Sequence, residues 1–302
     1  MKEKKRGCRM RKVLLFFVMA FLSVGVFAQE LEYGKVYPLK AGMGADEVMR
    51  VMYHNKYSLF AQDYFLPKSK VLYVDTSGYT RTKIARRYRI IKEGKGGISY
   101  KDLIVVTYPT EIKGLAILTW TYEDFKKDQN VWLWVPSLKK VRKISASEDD
   151  DAFMGSDLTV EDVSTRRFED ETYKLIGEKV FDGYTFEHTQ EVKSKGKPCF
   201  VIEATPLKPR WYYSKRLVWV DKETGGNIYE EYYNKKGKVF KTRFIEWGWY
   251  KPETKKYPMQ IAIECKDLRT GHRTVIFNEE QEYDQGISEQ NFTVKALMRS
   301  RW

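Results

Sequence analysis

The chain has 302 residues, with 54 Lys and Arg against 41 Asp and Glu, for a formal charge of +13. Three cysteines in that length exclude a disulfide framework, and three histidines, none in an HExxH or His/Cys metal spacing, exclude the common zinc signatures. Beyond the N-terminus no apolar run is long enough to span a bilayer.

Residues 2–12 are rich in Lys and Arg and lead into the apolar run "VLLFFVMAFLSVGVF", with small Val26 and Ala28 at the −3 and −1 positions before Gln29. This is the tripartite pattern of a signal peptide over residues 1–28. The apolar run is near or below the ~18 residues of a bilayer span, which favours cleavage over an uncleaved anchor. Cys8 precedes the run and therefore cannot be the lipidated residue of a lipoprotein cleavage site. Cleavage removes seven Lys/Arg and one Glu, leaving 274 residues with a formal charge of +7. The expected product is exported, soluble and periplasmic, with no transmembrane segment. In that compartment a basic surface points to anionic headgroups, to an acidic partner or to nothing specific, rather than to nucleic acid.

The spacing predicts a helix over Gly44–Asn55, with Asp46 and Glu47 in its first turn, where the helix dipole favours acids. Val48, Met49, Val51, Met52 and Tyr53 form its apolar side. After Lys70 the sequence reads as strand after strand, from "KVLYVDTS" to "RTVIFNEEQEY", rich in β-branched and aromatic residues. "DTSGY", "KEGKGG", "KETGGN", "NKKGK" and "LRTGH" fall where hairpin turns are needed. A short helix is expected around Ser156–Ser164, and "SEQNFTVKALM" suggests a terminal turn or helix that docks Phe292 and Leu297. No Pro/Ser/Gly-rich linker or repeat divides the chain. The expected fold is mainly β: one domain over 29–302, built on a single large curved antiparallel sheet or incompletely closed barrel. Cys199 and Cys265 sit in alternating runs, where a disulfide and two buried thiols are equally compatible.

Two strands are apolar on both faces. Leu115 and Ile117 alternate with Ala116, Leu118 and Trp120, and Val131, Leu133 and Val135 alternate with Trp132 and Trp134. A sheet with one wet face alternates more cleanly, so both sides need an apolar cover, either protein or a hydrophobic ligand. Tyr and Trp at the edge of such a cavity suit an amphiphile.

Searches for catalytic motifs return little. Ser156 follows Gly155 but lacks the second glycine of a nucleophile elbow. An EF-hand template started at Asp150 places Gly155 and Glu161 correctly, yet Ala152 and Met154 occupy ligand positions; a looser calcium site of Asp149, Asp150 and Asp151 stays open. With 41 acids, carboxylate pairs carry no information. No catalytic residue, metal or cofactor is assigned.

The stretch "DQNVWLWVPSLKKVRKISASEDDDAFMGSDLTVEDVS" resembles the signature segment of the LolA-like outer membrane lipoprotein-sorting protein family. Trp132, Trp134, Pro136, Leu138, Lys140, Arg142 and Ile144 match its first part, and Phe153, Met154, Gly155, Ser156, Asp157, Glu161 and Asp162 its second. "YPTEIKGLAILTW", "YYNKKGKVFKT" and the final "FTVKAL" extend the likeness over most of the mature chain. The resemblance implies a half-open β-barrel with a few helices over its concave face. It also implies a periplasmic carrier that shields a lipid or lipoprotein acyl chain, working beside an inner-membrane exporter of the resistance-nodulation-division (RND) type. On that basis Leu118, Trp120, Trp132, Leu133, Trp134, Phe153 and Met154 are expected to line the cavity and its lid. Gly155 is expected to hinge the lid, Ser156 or Asp157 to cap the following turn, and Arg142 to pair with Asp157 or Asp162. An envelope sensor on the same fold, and a hydrolase using the acidic loop, are the alternatives.

Overall fold

A computed structural model describes residues 31–144 and 150–299. The expected leader, residues 1–28, and Asp149 lie outside the described residues. Sixteen strands follow a helix, α1, Ala45–Lys56. They are β1 Asp63–Val74, β2 Thr80–Ile91, β3 Ile98–Tyr108, β4 Ala116–Tyr122, β5 Asn130–Val135, β6 Lys140–Ile144, β7 Glu171–Val180 and β8 Tyr184–Phe186. There follow β9 Glu191–Lys193, β10 Pro198–Pro206, β11 Lys215–Asp221, β12 Asn227–Tyr233, β13 Val239–Tyr250, β14 Tyr257–Asp267, β15 Arg273–Glu279 and β16 Glu282–Tyr283, and then a last helix, α2, Val294–Arg299.

All but β8 and β9 join one antiparallel sheet in the order β6-β5-β4-β3-β2-β1-β15-β14-β13-β12-β11-β10-β7, with β16 also paired to β1. Nearly every neighbour is a sequence neighbour, as short hairpin turns dictate. The long-range junction of β1 with β15 and β16 joins the two halves. β6 and β7 end the sheet without pairing to each other, so it curves without closing.

Residues directly opposite in register share a face, and the pairing separates two faces. The inner face carries Tyr100, Phe200, Ile202, Ala204, Val218 and Val220, onto which α1 packs Val48, Met49, Met52, Tyr53 and Tyr57. Glu47 accepts a hydrogen bond from the Gly44 amide at 2.8 Å and so closes the first turn of α1. At the other end of α1, Asn55 donates to the Thr224 carbonyl at 2.9 Å. A Cβ on Gly225 would stand 2.5 Å from that amide nitrogen, so the β11–β12 turn needs glycine for the helix to dock. The outer face is covered twice. The β8–β9 hairpin stacks Tyr184 on Phe244 with ring centres 4.6 Å apart, and the C-terminal segment seats buried Phe292, just before α2, and Leu297, on α2, over Leu103, Val105, Ala116 and Leu118. Helical cover was expected on the concave face alone; α1 is there, whereas α2 lies on the opposite face. The predicted helix at 156–164 is a single π-helical turn, Glu161–Thr165. Cys199 and Cys265 are free buried thiols, and burial pushes Cys199 up to about 12.

Candidate functional site: an inner-face hollow and its plug

The centre of the inner face is a hollow. Its floor is one rung of four apolar side chains across four strands: Ile245 opposite Ile263, Ile263 opposite Ile276, and Ile276 opposite Val71. Val71, Ile263 and Ile276 are only half-buried although they sit on central strands. Flanking rungs add Ala85, Ile104, Val106 and Trp247. The hollow contains about 120 Å³ of internal space, and about 1210 Å³ once the gaps between side chains and its open mouth are included. Along β1 it reaches from Tyr64 to Tyr73, roughly 30 Å at about 3.3 Å per residue.

Phe153 and Met154 line this hollow, on the turn expected to act as its plug or lid. They sit on a tight turn with Met154 at φ 52° and Gly155 at φ 74°, a backbone that glycine adopts freely and methionine at a cost. The turn is latched on two sides. Lys83 Nζ and Tyr73 Oη donate to the Met154 carbonyl at 2.7 and 3.3 Å. On the adjoining strand, Thr274, which faces Tyr73 in register, donates from Oγ1 to Asp157 Oδ2 at 2.7 Å and accepts from the Asp157 amide at 2.9 Å. Burial raises the Asp157 carboxyl despite that hydrogen bond. Ser156 Oγ donates to the Phe153 carbonyl at 2.7 Å, holding the turn closed. The helical turn that follows is capped by neither Ser156 nor Asp157. Thr159 and Asp162 cap it reciprocally, the Thr159 amide donating to Asp162 Oδ2 at 3.0 Å and the Asp162 amide donating to Thr159 Oγ1 at 3.1 Å.

Asp162 also anchors a buried ion network between α1 and the sheet. Arg166 meets Glu161 at 2.8 Å and Asp162 at 3.0 Å, and Lys241 meets Asp162 at 2.5 Å. Arg243 meets Glu230 at 2.6 Å, and Arg216 meets Glu230 at 2.8 Å and Glu171 at 2.5 Å. Burial alone would raise these acids, but the adjoining cations prevail and hold Asp162, Glu171 and Glu230 below the ordinary carboxylate range. Arg142, expected to pair with Asp157 or Asp162, lies on edge strand β6 opposite Leu133. The oxygens of Asp162 are instead taken by Arg166, Tyr232, Lys241 and the Thr159 amide.

Of the residues expected to line the cavity, the structure brings Phe153 and Met154 to the hollow together with Ser156 and Asp162. Leu118, Trp120, Trp132 and Trp134 cluster on the outer face beneath α2, where Trp120 Nε1 donates to the Phe292 carbonyl at 3.0 Å. Leu133 is on the inner face opposite Ile117, itself opposite Ile104, and so lies two strands beyond the lining. The sequence reading missed the isoleucine floor and the cations Lys56, Arg87, Arg89 and Arg243 that also line the hollow. In "TRTKIARRYRII" the alternation placing Lys83, Ala85, Arg87 and Arg89 on one face was the available signal. Among the described residues no three His, Cys, Asp or Glu side chains gather as a metal site, and no helix is long and apolar enough to cross a membrane.

A family model described as "uncharacterized protein" matches residues 99–299. Among solved structures, a DUF1329 family protein of Desulfovibrio piger superposes with a TM-score of 0.70 at 26% identity, over 86% of this chain and 99% of that one. An outer membrane lipoprotein-sorting protein domain of Vibrio parahaemolyticus gives 0.70 at 22% identity, over 84% and 98%. A LolA superfamily protein of Nitrosomonas europaea gives 0.58 at 16% identity, over 84% and 100%. The chain belongs to that matched family, and its fold is LolA-like. No curated protein sequence matches it. The LolA-like fold accounts for the half-open sheet, and the hollow occupies the inner face that such a sheet wraps.

Proposed function

We propose that this LolA-like protein is an exported, non-catalytic carrier that holds a lipid or lipoprotein acyl chain in the hollow and passes it between envelope membranes. The observation that carries this reading is the floor: Val71, Ile263 and Ile276 are apolar, central in the sheet and still only half-covered by protein. Each methylene laid on such a surface contributes about 0.8 kcal/mol. One acyl chain spans about 15 Å, half of a ~30 Å bilayer core, so a trough of roughly 30 Å accommodates it lengthwise. With the plug in place the internal space of about 120 Å³ is below the ~300–1,000 Å³ of a typical ligand pocket. The plugged form is therefore the empty one, and loading displaces Phe153 and Met154. The family resemblance supports an inner-membrane RND-type exporter as the partner that opens the plug, with residues 1–28 removed on export to the periplasm.

The test is native mass spectrometry of protein purified from periplasm, with lipid analysis of its organic extract. A bound acylated species is expected. Persistent absence of lipid, with no uptake of labelled fatty acid or phospholipid, overturns the carrier reading. Transfer from donor to acceptor vesicles is expected as well; binding without transfer converts the reading to a sensor.

A further inference from the structure

The end of the hollow where α1 finishes is cationic. Lys56 is the last residue of α1 and lines the hollow. Its ammonium lies 5.0 Å from the Tyr57 ring centre and 5.8 Å from that of Tyr53, and it has no ion pair or hydrogen bond among the described residues. Arg89 closes on the same Tyr57 ring, 5.3 Å from its centre. Arg87 and Arg243 reach the neighbouring carbonyls of Val163 and Asp162, each at 3.3 Å. All four cations line the hollow, where Asp162 is the one carboxylate.

Among the described residues their charge is not fully balanced. Arg87 and Arg89 share the single carboxylate of Asp102, each with a 2.5 Å contact. The ion network that holds Arg243 pairs its four cations with four carboxylates and leaves Lys56 over. Arg89 and Arg243 are 2% and 3% exposed, yet the Nε–H of each has no acceptor among the described residues. Buried donors are seldom left unpaired without a reason. Burial, then the Arg243 and Arg166 guanidiniums, push the Lys56 ammonium well below its ordinary value; an anion beside it would shift it back upward.

We infer that this end of the hollow is a head-group site: Lys56, with Arg89 and Arg243, binds the anionic carboxylate or phosphate of an amphiphile whose tail lies on the isoleucine floor. The inference rests on the carrier reading and deepens it, because it selects among single-chain lipids by head-group charge.

Three probes share one sixteen-carbon tail and differ only in the head: palmitate, hexadecyl phosphate and hexadecanol. Their affinities for the delipidated protein are measured by displacement of a fluorescent fatty alcohol. Palmitate, hexadecyl phosphate or both are expected to bind about tenfold tighter than hexadecanol, as charge-assisted hydrogen bonds require; whichever binds tighter identifies the head. Lys56→Met should abolish the preference, whereas Lys56→Arg should keep it. Equal binding of all three probes by the wild type, or a preference that survives Lys56→Met, overturns the head-group site and leaves the carrier reading intact. Failure of every probe, the alcohol included, overturns the carrier reading instead. Should Lys56→Met not fold, Lys56→Gln carries the same comparison, and the wild-type ratio alone still decides against the site if it is unity.

Discussion

Replacing Asp162 by Asn tests whether the ion network holds the plug. The Asp162 side chain is fully buried. Its Oδ1 accepts from Tyr232 Oη at 2.7 Å and Arg166 at 3.0 Å, and its Oδ2 from Lys241 at 2.5 Å and the Thr159 amide at 3.0 Å. An amide cannot replace it: the charge disappears, and an NH2 donor must face one of those donors. Breaking one side of a buried ion pair costs about 3–5 kcal/mol, a large part of the ~5–15 kcal/mol that holds a domain folded. Urea unfolding of Asp162→Asn should therefore show a midpoint lower by more than about 1 M, with the slope unchanged. Tyr232→Phe, which removes a neutral hydroxyl bonded to Asp162, Glu230 and Arg166 but leaves every charge in place, should lose less than Asp162→Asn, about 1.5–3 kcal/mol. Because Asp162 caps the turn that leaves the plug, amides of Phe153–Leu158 should also exchange faster in Asp162→Asn. A midpoint within about 0.3 M of wild type would show that the network contributes little to stability, and unchanged exchange would detach it from the plug.

Further predictions separate the two faces and the plug. Leu118 is fully buried under α2, so Leu118→Arg should unfold the protein, losing about 3 kcal/mol or more. Ile276→Arg, on the half-open floor, should keep the far-UV circular dichroism and abolish lipid uptake; normal uptake would remove the floor from the site. Phe153→Ala with Met154→Ala should speed both loading and release of a labelled acyl chain in stopped-flow measurements, and unchanged rates would mean that the turn is not a plug. Burial holds His54 at about 4 in the folded protein, below the ~6.5 of an unfolded histidine. The unfolded chain thus takes up the proton first, so this contribution is complete above pH ~6.5 and lost as pH falls towards about 4, up to about 3 kcal/mol. Unfolding at pH 7.5 and 4.5 should show a smaller drop in His54→Gln than in wild type; equal drops refute it.

The architecture was legible because its cues are local. Alternating runs broken by turn motifs such as "KETGGN" give consecutive hairpins, and Asp46 with Glu47 marks the start of α1. "FMGSD" likewise stands out as a tight loop, and it is the plug. The site walls were not legible, because a period of two says that β4 and β5 have two apolar faces without saying which is inner. That choice is made by the long-range pairing of β1 with β15 and by α2, which docks from the far end of the chain onto Leu118 and Trp134. The partners of Asp162 were illegible for the same reason: Lys241 and Arg243 are some eighty residues away, while Arg142 is near in sequence and sits on the wrong edge.

The net charge of the chain takes on another meaning once its cations are placed. A surplus of basic residues reads most simply as a solvated surface, but Arg89, Arg166, Arg216, Lys241 and Arg243 are buried. Removing such groups from water costs several kcal/mol each unless they are paired. Most of that cost is offset by the carboxylates of the network, and the fold has no pressure to add an unpaired lysine at its edge for stability. An apolar side chain of similar length in place of Lys56 would lie as well beside the Tyr53 and Tyr57 rings. A hollow meant for hydrocarbon alone would gain from that change. One meant for a molecule with a tail and a charged head would lose by it.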